Sequence, residues 1–447
     1  MAGGVIPPRC FLGGSGMELS RYLKVYPCTD KPGRAMLLAT RRCAVLELSE
    51  SLWGRVCNNG ELSEREQSVL ADKGVLVADA AAERKEMLET FKIANSRKRS
   101  VTMLVTLTLE CNLACPYCFE DPFRGRFLMS DKTAELLITE LTQKMRAGFD
   151  VKIDFYGGEA LMALPRLKDI AGRLEQTARE NGVKFQFSII TNATLLTRKV
   201  AEELLPLGLT SIRTTLDGPP DIHNKQRPFV SGKGSFDTIL NNIKELSGLI
   251  PIELGGNYTH ENYRRFPEML DLLIQEGVSP ETFSAVGFFP VFPKADGSVS
   301  GDCNSTCASS DEPWMIEAGL ILRGEILRRG FNAPKPGPSG CMVEFDNDFV
   351  VGHDGKLFKC TTFMGDDDLC VGELGSFVAD YSASHNRDVW KNDECLDCAY
   401  LPLCFGGCRF LRRLRTGAID GVDCRKAIYD ATLETIVRQD LELRDRA

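Results

Sequence analysis

Three cysteines lie close enough together to bind a metal cluster. Cys111, Cys115 and Cys118 have a C-x3-C-x2-C spacing and follow the strand-like run Thr102–Leu109. Three thiolates in so short a loop can hold three irons of a [4Fe–4S] cube, since soft sulfur ligands favour iron–sulfur chemistry. The fourth iron would lack a protein ligand and could coordinate a small molecule. The alternative for these cysteines is a zinc knuckle.

The residues around the cysteines resemble the signature of the radical S-adenosylmethionine superfamily. The segment Phe155-Tyr-Gly-Gly-Glu159 matches that family's Gly-Gly-Glu motif and ends the strand-like run Val151–Tyr156. The resemblance implies that the methionyl amine and carboxylate of the cofactor chelate the open iron. One electron from the cluster then cleaves the sulfonium, which yields methionine and a 5′-deoxyadenosyl radical that abstracts hydrogen from a substrate.

The same resemblance implies roles for single residues of these motifs. Glu159 is expected to hold the methionyl ammonium, because a carboxylate offsets its positive charge. Gly157 and Gly158 are expected to let the backbone approach the ligand. Tyr117 corresponds to an aromatic residue that packs near adenine in the family.

Two later segments extend the resemblance. Thr191 and Asn192 end the third strand-like run, where relatives usually show Thr-Asn-Gly. Ala193 stands in place of that glycine, which puts a close backbone approach in doubt. An Asp-Gly-Pro turn at Asp217 and an Arg-Pro pair at Arg227 match another signature. The resemblance assigns both residues to the cofactor, with Arg227 as the partner of its carboxylate.

A second group of cysteines lies near the C-terminus, in the pattern C-x13-G-x4-C followed by C-x2-C-x5-C-x3-C and a last cysteine. A structural zinc ribbon could use part of this spacing. The whole pattern is similar to the SPASM domain of radical peptide-modifying enzymes. That resemblance implies two auxiliary [4Fe–4S] clusters, and three clusters in all. Their ligands would be Cys395, Cys398, Cys404 and Cys424 for the distal cluster, and Cys341, Cys360 and Cys408 for the nearer one.

The nearer cluster is one cysteine short of full thiolate ligation. Relatives often supply that ligand a few residues after the first cysteine, a region where this chain has Asn347. Cys370 is the candidate that we favour, and Cys303 and Cys307 are more distant ones. Alternatively the site is open, and could bind a substrate thiolate.

From residue 102 the chain alternates between strand-like and helical segments. The predicted strands are Thr102–Leu109, Val151–Tyr156, Lys184–Thr191, Ser211–Leu216, Ile252–Thr259 and Phe283–Phe292. The predicted helices are Asp131–Arg146, Pro165–Asn181, Arg198–Leu207, Ser235–Leu246, Tyr263–Glu276 and Glu312–Arg329. Six such units predict an α/β fold with a parallel sheet curled into a partial (β/α)6 barrel. Chemistry in such sheets takes place at the C-terminal ends of the strands.

The regions on either side of this barrel, which we place at residues 96–333, have a different character. Residues 1–95 are predicted to form a winged-helix-like α+β module, and the charged stretch Glu83–Arg99 to link it to the barrel. Ser63 and Glu66 form a capping-box pattern in that module. Its predicted elements are strands Ser20–Tyr26, Ala35–Thr40 and Cys43–Leu48, and helices Glu50–Val56 and Ser63–Lys73.

Residues 334–447 are predicted to form the cysteine-rich SPASM domain. Phe345–Val351 and Lys356–Thr361 flank a His-Asp-Gly sequence, which predicts a β-hairpin with a glycine turn. A final amphipathic helix is predicted from Arg425 onwards.

Composition narrows the class of protein. The chain has 447 residues, 17 cysteines and a net charge of −8. Such a size favours two or three domains, and an acidic balance disfavours a nucleic-acid substrate. No stretch has the roughly 18 apolar residues of a membrane span, and the N-terminus lacks a signal-peptide pattern. We therefore expect a cytoplasmic protein with no membrane or nucleic-acid partner, whose clustered cysteines bind metal.

The resemblance implies a maturase that modifies a ribosomally made precursor peptide, most often by thioether or carbon–carbon crosslinking. Its N-terminal module would bind the leader peptide, and reduced flavodoxin or ferredoxin would donate electrons. One rival is an anaerobic sulfatase-maturase-like enzyme that forms formylglycine, and another is a non-catalytic iron–sulfur protein that binds peptides. The general base stays open among Glu120, Asp217 and Tyr258.

Overall fold

The computed structural model describes residues 16–28, 32–121, 124–291, 312–376 and 378–443. Its N-terminal part contains five strands and four helices, in the order β1 (Glu18–Leu19), β2 (Leu23–Pro27), β3 (Arg34–Ala39), β4 (Ala44–Ser49), α1 (Glu50–Cys57), α2 (Glu64–Asp72), β5 (Leu76–Val77), α3 (Ala80–Leu88) and α4 (Thr90–Arg97). Strands β2, β3 and β4 form an antiparallel sheet in that order, while β1 pairs with β5. The predicted capping box is present at the start of α2, where Ser63 and Glu66 bond reciprocally.

The charged stretch Glu83–Arg99, which was predicted to link the N-terminal module to the barrel, is mostly helical. The stretch forms most of α3 and α4, and Glu83 is buried. Its carboxylate accepts hydrogen bonds from the Ser20 hydroxyl at 2.8 Å and the Arg21 backbone N–H at 3.0 Å. Protein donors rather than water thus satisfy the Glu83 carboxylate, so its charge does not indicate an exposed position.

The central region alternates strands with helices as predicted. Its elements are β6 (Ser100–Thr106), α5 (Asp131–Arg146), β7 (Asp150–Tyr156), α6 (Leu164–Asn181), β8 (Phe185–Ile190), α7 (Arg198–Leu204), β9 (Leu209–Thr215), α8 (Pro220–Gln226), α9 (Phe236–Leu246), β10 (Ile252–Tyr258), α10 (Phe266–Gln275), β11 (Phe283–Pro290) and α11 (Pro313–Arg328). Strands β6 to β11 lie side by side in chain order and run parallel. Apolar residues of these strands and helices form the largest core. The fold is therefore α/β with a mostly parallel sheet, and its degree of barrel closure stays a prediction.

The C-terminal region extends that sheet. Its elements are β12 (Asp348–Val351), β13 (Lys356–Phe358), β14 (Gly372–Glu373), α12 (Asp393–Leu396), α13 (Leu401–Cys404), α14 (Arg409–Thr416) and α15 (Lys426–Leu443). Strand β12 pairs in parallel with β6 and forms the predicted hairpin with β13. Gly355 lies in the turn with φ +91°, a conformation that favours glycine. One nine-stranded sheet thus continues across the predicted boundary at residue 333.

The N-terminal elements pack against the C-terminal ones. Tyr22 and Phe91 share an apolar cluster with Trp390 and Phe405, and the Tyr22 hydroxyl donates to the Leu396 carbonyl at 3.2 Å. One face of the N-terminal sheet contacts α15 through a second cluster, in which Met36 and Leu38 pack with Leu433 and Val437. Within the described residues, no helix is long and apolar enough to cross a membrane.

Candidate active site

The three cysteines of the first motif lie in the loop after β6, at the C-terminal edge of the sheet. Asn192, which follows β8, donates from its side-chain amide to the Cys111 sulfur at 3.8 Å. The Leu113 backbone N–H points at the same sulfur, 3.4 Å away. The loop itself and the end of β8 therefore both direct a donor at the Cys111 sulfur.

A cavity of about 330 Å³ opens beside this loop, and we call it the reactive cavity. It brings together most of the predicted cofactor residues, which follow strands β6, β7 and β8 or, for Arg227, helix α8. Its lining includes Cys111, Cys115, Tyr117, Cys118, Gly157, Gly158, Thr191, Asn192 and Arg227. It also includes residues that the motifs do not identify, among them Thr215, Asn257, Thr362 and Phe410.

The two glycines after β7 are required by the cysteine loop itself. A Cβ on Gly157 would lie 2.4 Å from the Thr108 carbonyl oxygen, and one on Gly158 would lie 2.2 Å from that of Glu110. Gly157 also has φ +98°. The glycines therefore let the end of β7 approach the cysteine loop, a closer reason for them than access to a ligand.

Glu159 lies behind this wall and is fully buried. Its carboxylate accepts hydrogen bonds from the Leu161 N–H at 2.9 Å, the Thr191 hydroxyl at 2.7 Å and the Asn192 N–H at 2.7 Å. Burial raises its pKa above the usual value for a carboxyl group. Glu159 thus joins the ends of β7 and β8, and its contact with a methionyl ammonium stays a prediction.

Ala193 follows Thr191 and Asn192, at the position where relatives usually have glycine. Ala193 has φ +61°, the left-handed region in which relatives would place glycine. Its N–H donates to the Thr191 hydroxyl at 3.0 Å, and its carbonyl accepts from Asn242 at 2.7 Å. The backbone therefore keeps the glycine conformation although the side chain is a methyl group.

Asp217, Tyr117, Arg227 and Asn257 form one buried polar network. The Tyr117 hydroxyl donates to the Asp217 carboxylate and accepts from the Arg227 guanidinium at 2.8 Å. The Asn257 N–H donates to Asp217 at 2.7 Å. Burial raises the pKa of Asp217, although Arg227 and these donors oppose the shift. The structure therefore locks Tyr117 by its hydroxyl rather than leaving it free to move over a ligand.

Arg227 is held from its backbone side by His223. The Asp217 N–H donates to His223 Nδ1 at 3.1 Å, so Nε2 carries the proton that faces Ser235 Oγ at 3.0 Å. Ser235 Oγ in turn donates to the Arg227 carbonyl at 2.6 Å. Burial lowers the pKa of His223 to about 3. Among the described atoms, Arg227 Nε is buried without a hydrogen-bond partner, which suits an anion in the cavity.

The three candidates for a general base differ sharply in position. Glu120 lines the reactive cavity and is nearly buried, burial raises its pKa to about 7, and its Oε1 has no partner among the described atoms. The Asp217 carboxylate is occupied by its donors, and Tyr258 packs in an aromatic cluster. Only Glu120 of the three offers a free acceptor to the cavity.

Four cysteines of the C-terminal pattern share one cavity of about 450 Å³. They are the four that we assigned to the distal cluster, Cys395, Cys398, Cys404 and Cys424. Lys24 of the N-terminal sheet lines the same cavity and pairs with Asp430 at 3.2 Å. The predicted ligand set is therefore brought together by the fold, although its binding to a cluster stays a prediction.

The nearer set also converges. Cys341 and Cys408 line a cavity of about 330 Å³, and the charge of each contributes to raising the pKa of the Cys360 thiol, after burial. In the described part of the chain Cys370 lines neither cysteine cavity, and its thiol donates to the Gly372 carbonyl at 3.2 Å. Its role as a ligand stays a prediction without structural support.

Two further observations concern which residues could bind metal. Cys303 and Cys307, the more distant candidates, lie outside the described residues. Among the residues that are described, no three His, Cys, Asp or Glu side chains are placed to hold a single metal ion. A [4Fe–4S] cube makes a different demand, since each thiolate binds its own iron.

Comparisons with known proteins agree with this geometry. Residues 105–273 match the family model described as the Radical SAM superfamily. The chain is 23% identical to the PqqA peptide cyclase of Gluconobacter oxydans over 76% of this chain and 95% of that protein. It is 24% identical to the cysteine-type anaerobic sulfatase-maturating enzyme of Clostridium novyi, over 70% of this chain and 88% of that protein.

A solved structure shows the same fold. SuiB of Streptococcus suis, bound to precursor peptide SuiA, superposes with a TM-score of 0.54 at 15% identity. The match covers 92% of this chain and 99% of that chain. SuiB has also been solved with S-adenosylmethionine bound, with a TM-score of 0.53.

Proposed function

Because this chain is an enzyme with a radical SAM domain, we propose that it modifies a ribosomally made precursor peptide in the cytoplasm, by thioether or carbon–carbon crosslinking. The PqqA peptide cyclase and SuiB, with its precursor peptide, support this substrate class. Reduced flavodoxin or ferredoxin is the proposed electron donor, and neither a membrane nor a nucleic acid is a proposed partner.

The residues of the reactive cavity fit S-adenosylmethionine and a [4Fe–4S] cluster. Cys111, Cys115 and Cys118 would hold three irons, and the unpaired Arg227 Nε would bind the cofactor carboxylate. When bound, the pair supplies a radical that abstracts a hydrogen atom from the peptide. Asp217 keeps Tyr117 and Arg227 in place, and Glu120 offers an acceptor for a proton or an N–H group.

We further propose that the C-terminal cysteines bind two auxiliary clusters, which makes three in all. The four cysteines of the distal set share a cavity. In the nearer set, Cys341 and Cys408 lie close enough to Cys360 for their charges to contribute to raising its pKa. Burial raises the pKa of Cys360 and Cys404, so a metal is needed to keep them as thiolates at neutral pH.

The observation that carries the proposal is that the reactive cavity has walls from two regions. Thr362 and Phe410 of the C-terminal region line it together with the first cysteines. Cys360 Sγ lies 3.0 Å from the Thr362 hydroxyl, so the nearer cysteine set borders the cavity. A peptide in the cavity would therefore contact both regions, as a maturase with auxiliary clusters requires.

The N-terminal sheet supports capture of a leader peptide as an added strand. The Glu50 N–H donates to the Gly33 carbonyl at 2.6 Å, and alternate residues of β4 face β3 in the same way. The N–H groups of Val45 and Glu47 therefore point away from β3. In the described chain β4 pairs with no other strand, so its outer edge at Val45 could accept a peptide.

A sulfatase-maturase-like activity is the second candidate, favoured by the relative from Clostridium novyi. The two candidates differ in product. We would first search the neighbouring genes for a short precursor peptide, and then incubate it with the reconstituted enzyme, S-adenosylmethionine and a reductant. A crosslink removes two hydrogens from that peptide, whereas formylglycine creates an aldehyde that reacts with hydrazides. An unchanged peptide, despite deoxyadenosine release, would contradict both candidates.

A further inference from the structure

A second cavity of about 430 Å³ lies between the loop after the first cysteines and the β12–β13 hairpin. We call it the hairpin cavity. It shares Phe119, Glu120 and Arg124 with the reactive cavity, so the two are neighbours across these side chains. A peptide whose reacting residue occupies the first cavity can therefore place a nearby residue in the second.

Most of the wall surface of the hairpin cavity is apolar, although the charged residues Arg124, Asp354, Lys356 and Asp367 also line it. Leu109, Phe119, Phe127, Phe358 and Met364 line it, together with His353. The rings of Phe127 and His353 lie 5.2 Å apart, and burial lowers the pKa of His353, which keeps the ring neutral at pH 7. Lys356 at the rim is paired with Asp367 at 2.7 Å. The walls therefore suit an uncharged ring or aliphatic chain.

The side chains of Phe127 and its neighbour Leu128 are exposed, although hydrogen bonds fix the backbone at Phe127. The Phe127 carbonyl accepts from the Leu109 N–H at 3.0 Å and from the Thr108 hydroxyl at 2.8 Å. Phe127 is nevertheless 51% exposed and Leu128 55% exposed. Apolar surface fixed in this way gains stability when a ligand covers it.

Glu120 supplies a polar anchor at the junction of the two cavities. It is 5% exposed, and Tyr156 and the Gly158 N–H lie beside its carboxylate, but its Oε1 accepts no hydrogen bond from the described atoms. A buried acceptor without a donor is costly, and a peptide N–H would satisfy it.

We propose that the hairpin cavity binds an aromatic or other large apolar side chain of the substrate peptide. The backbone N–H of that residue donates to Glu120 Oε1, and a neighbouring residue then lies in the reactive cavity. The inference rests on the proposed function and adds to it a sequence preference, a large apolar residue beside the modified one.

The test uses the reconstituted full chain and small probes, with dissociation constants from ligand-observed NMR. N-acetyl-phenylalanine methylamide is expected to bind, and the alanine analogue at least about tenfold more weakly. Phe127→Ala should weaken the phenylalanine probe about three- to tenfold. The matched control is Phe289→Ala, since Phe289 is 57% exposed but does not line the hairpin cavity.

A third probe tests the anchor without altering a residue near the cysteines. N-methylation of the phenylalanine nitrogen removes the donor for Glu120, and we expect about tenfold weaker binding. Equal affinity for the phenylalanine and alanine probes, or equal effects of Phe127→Ala and Phe289→Ala, would overturn the proposal. Iron content and deoxyadenosine release, measured on the same samples, report separately on the proposed function.

Discussion

His223 shows how a residue outside the reactive cavity can hold it together. It accepts from the Asp217 backbone and faces Ser235, whose hydroxyl donates to the Arg227 carbonyl. Protonation of Nδ1 would break the first of these bonds and place a charge beside Arg227. The network therefore requires neutral histidine.

Protonation of His223 should therefore lower the stability of the protein as the pH decreases. Its folded pKa of about 3 lies below the ordinary value of 6.5. Between these values the unfolded chain binds the extra proton, so the free energy of unfolding falls by about 1.4 kcal/mol per pH unit as pH drops. His223→Gln keeps an acceptor and a donor without titrating. Urea unfolding between pH 7 and 5 should show a shallower slope for the variant, and equal slopes would refute the assignment.

At the scale of single residues, sequence motifs identified cavity residues that lie close together in the chain. They missed residues that only the fold places at the reactive cavity. The cysteines, the glycines and Arg227 carry a chemical signal in their spacing. Asn257 ends a parallel strand, so the rule that sites lie at strand ends could have indicated it. Thr362 and Phe410 carried no signal, because a packing between distant regions places them.

At the scale of elements, the outer edge of β4 permits a specific test of leader capture. Val45→Pro removes one outward N–H and leaves the bonds to β3 intact. We expect affinity for the precursor peptide to fall at least about tenfold, because a bond of the added strand is lost and the ring obstructs the edge. Val45→Ala keeps the N–H and serves as the control. Calorimetric titration would contradict the mechanism if both variants bound alike.

Elements with a clear period were predicted well, and those governed by tertiary contacts were not. Helix α5 matches its predicted bounds Asp131–Arg146, since an N-cap serine and an apolar face define it. The burial of Glu83 and Phe91 was not predicted, because it depends on partners from elsewhere in the chain, such as Ser20 and Trp390. No local pattern reveals such partners.

At the scale of the whole molecule, the N- and C-terminal regions stabilise each other. The Phe91 ring lies 5.2 Å from Phe345, 5.7 Å from Trp390 and 4.8 Å from Phe405. Phe91→Ala should therefore cost about 3–5 kcal/mol of unfolding free energy. Ile93→Ala, on the same helix but 39% exposed, should cost less than about 1 kcal/mol. Chemical denaturation that gave equal losses would contradict this packing.

These contacts also show that the three predicted regions pack closely on one another. Strand β12 joins the sheet of the central region, and Tyr22 and Phe91 lie in a cluster with C-terminal residues. Deleting residues 1–95 would expose that cluster, so point substitutions test leader binding more cleanly. Sequence composition marks regions, but it does not reveal apolar surfaces that two regions share.

The central claim, a radical enzyme with three clusters, is tested most directly by iron and deoxyadenosine on one pair of proteins. The anaerobically reconstituted chain should contain about 12 irons and release deoxyadenosine from S-adenosylmethionine. Changing Cys111, Cys115 and Cys118 together to Ala should remove about a third of the iron and all deoxyadenosine. Stoichiometric zinc with little iron, or deoxyadenosine release by the triple variant, would contradict the claim.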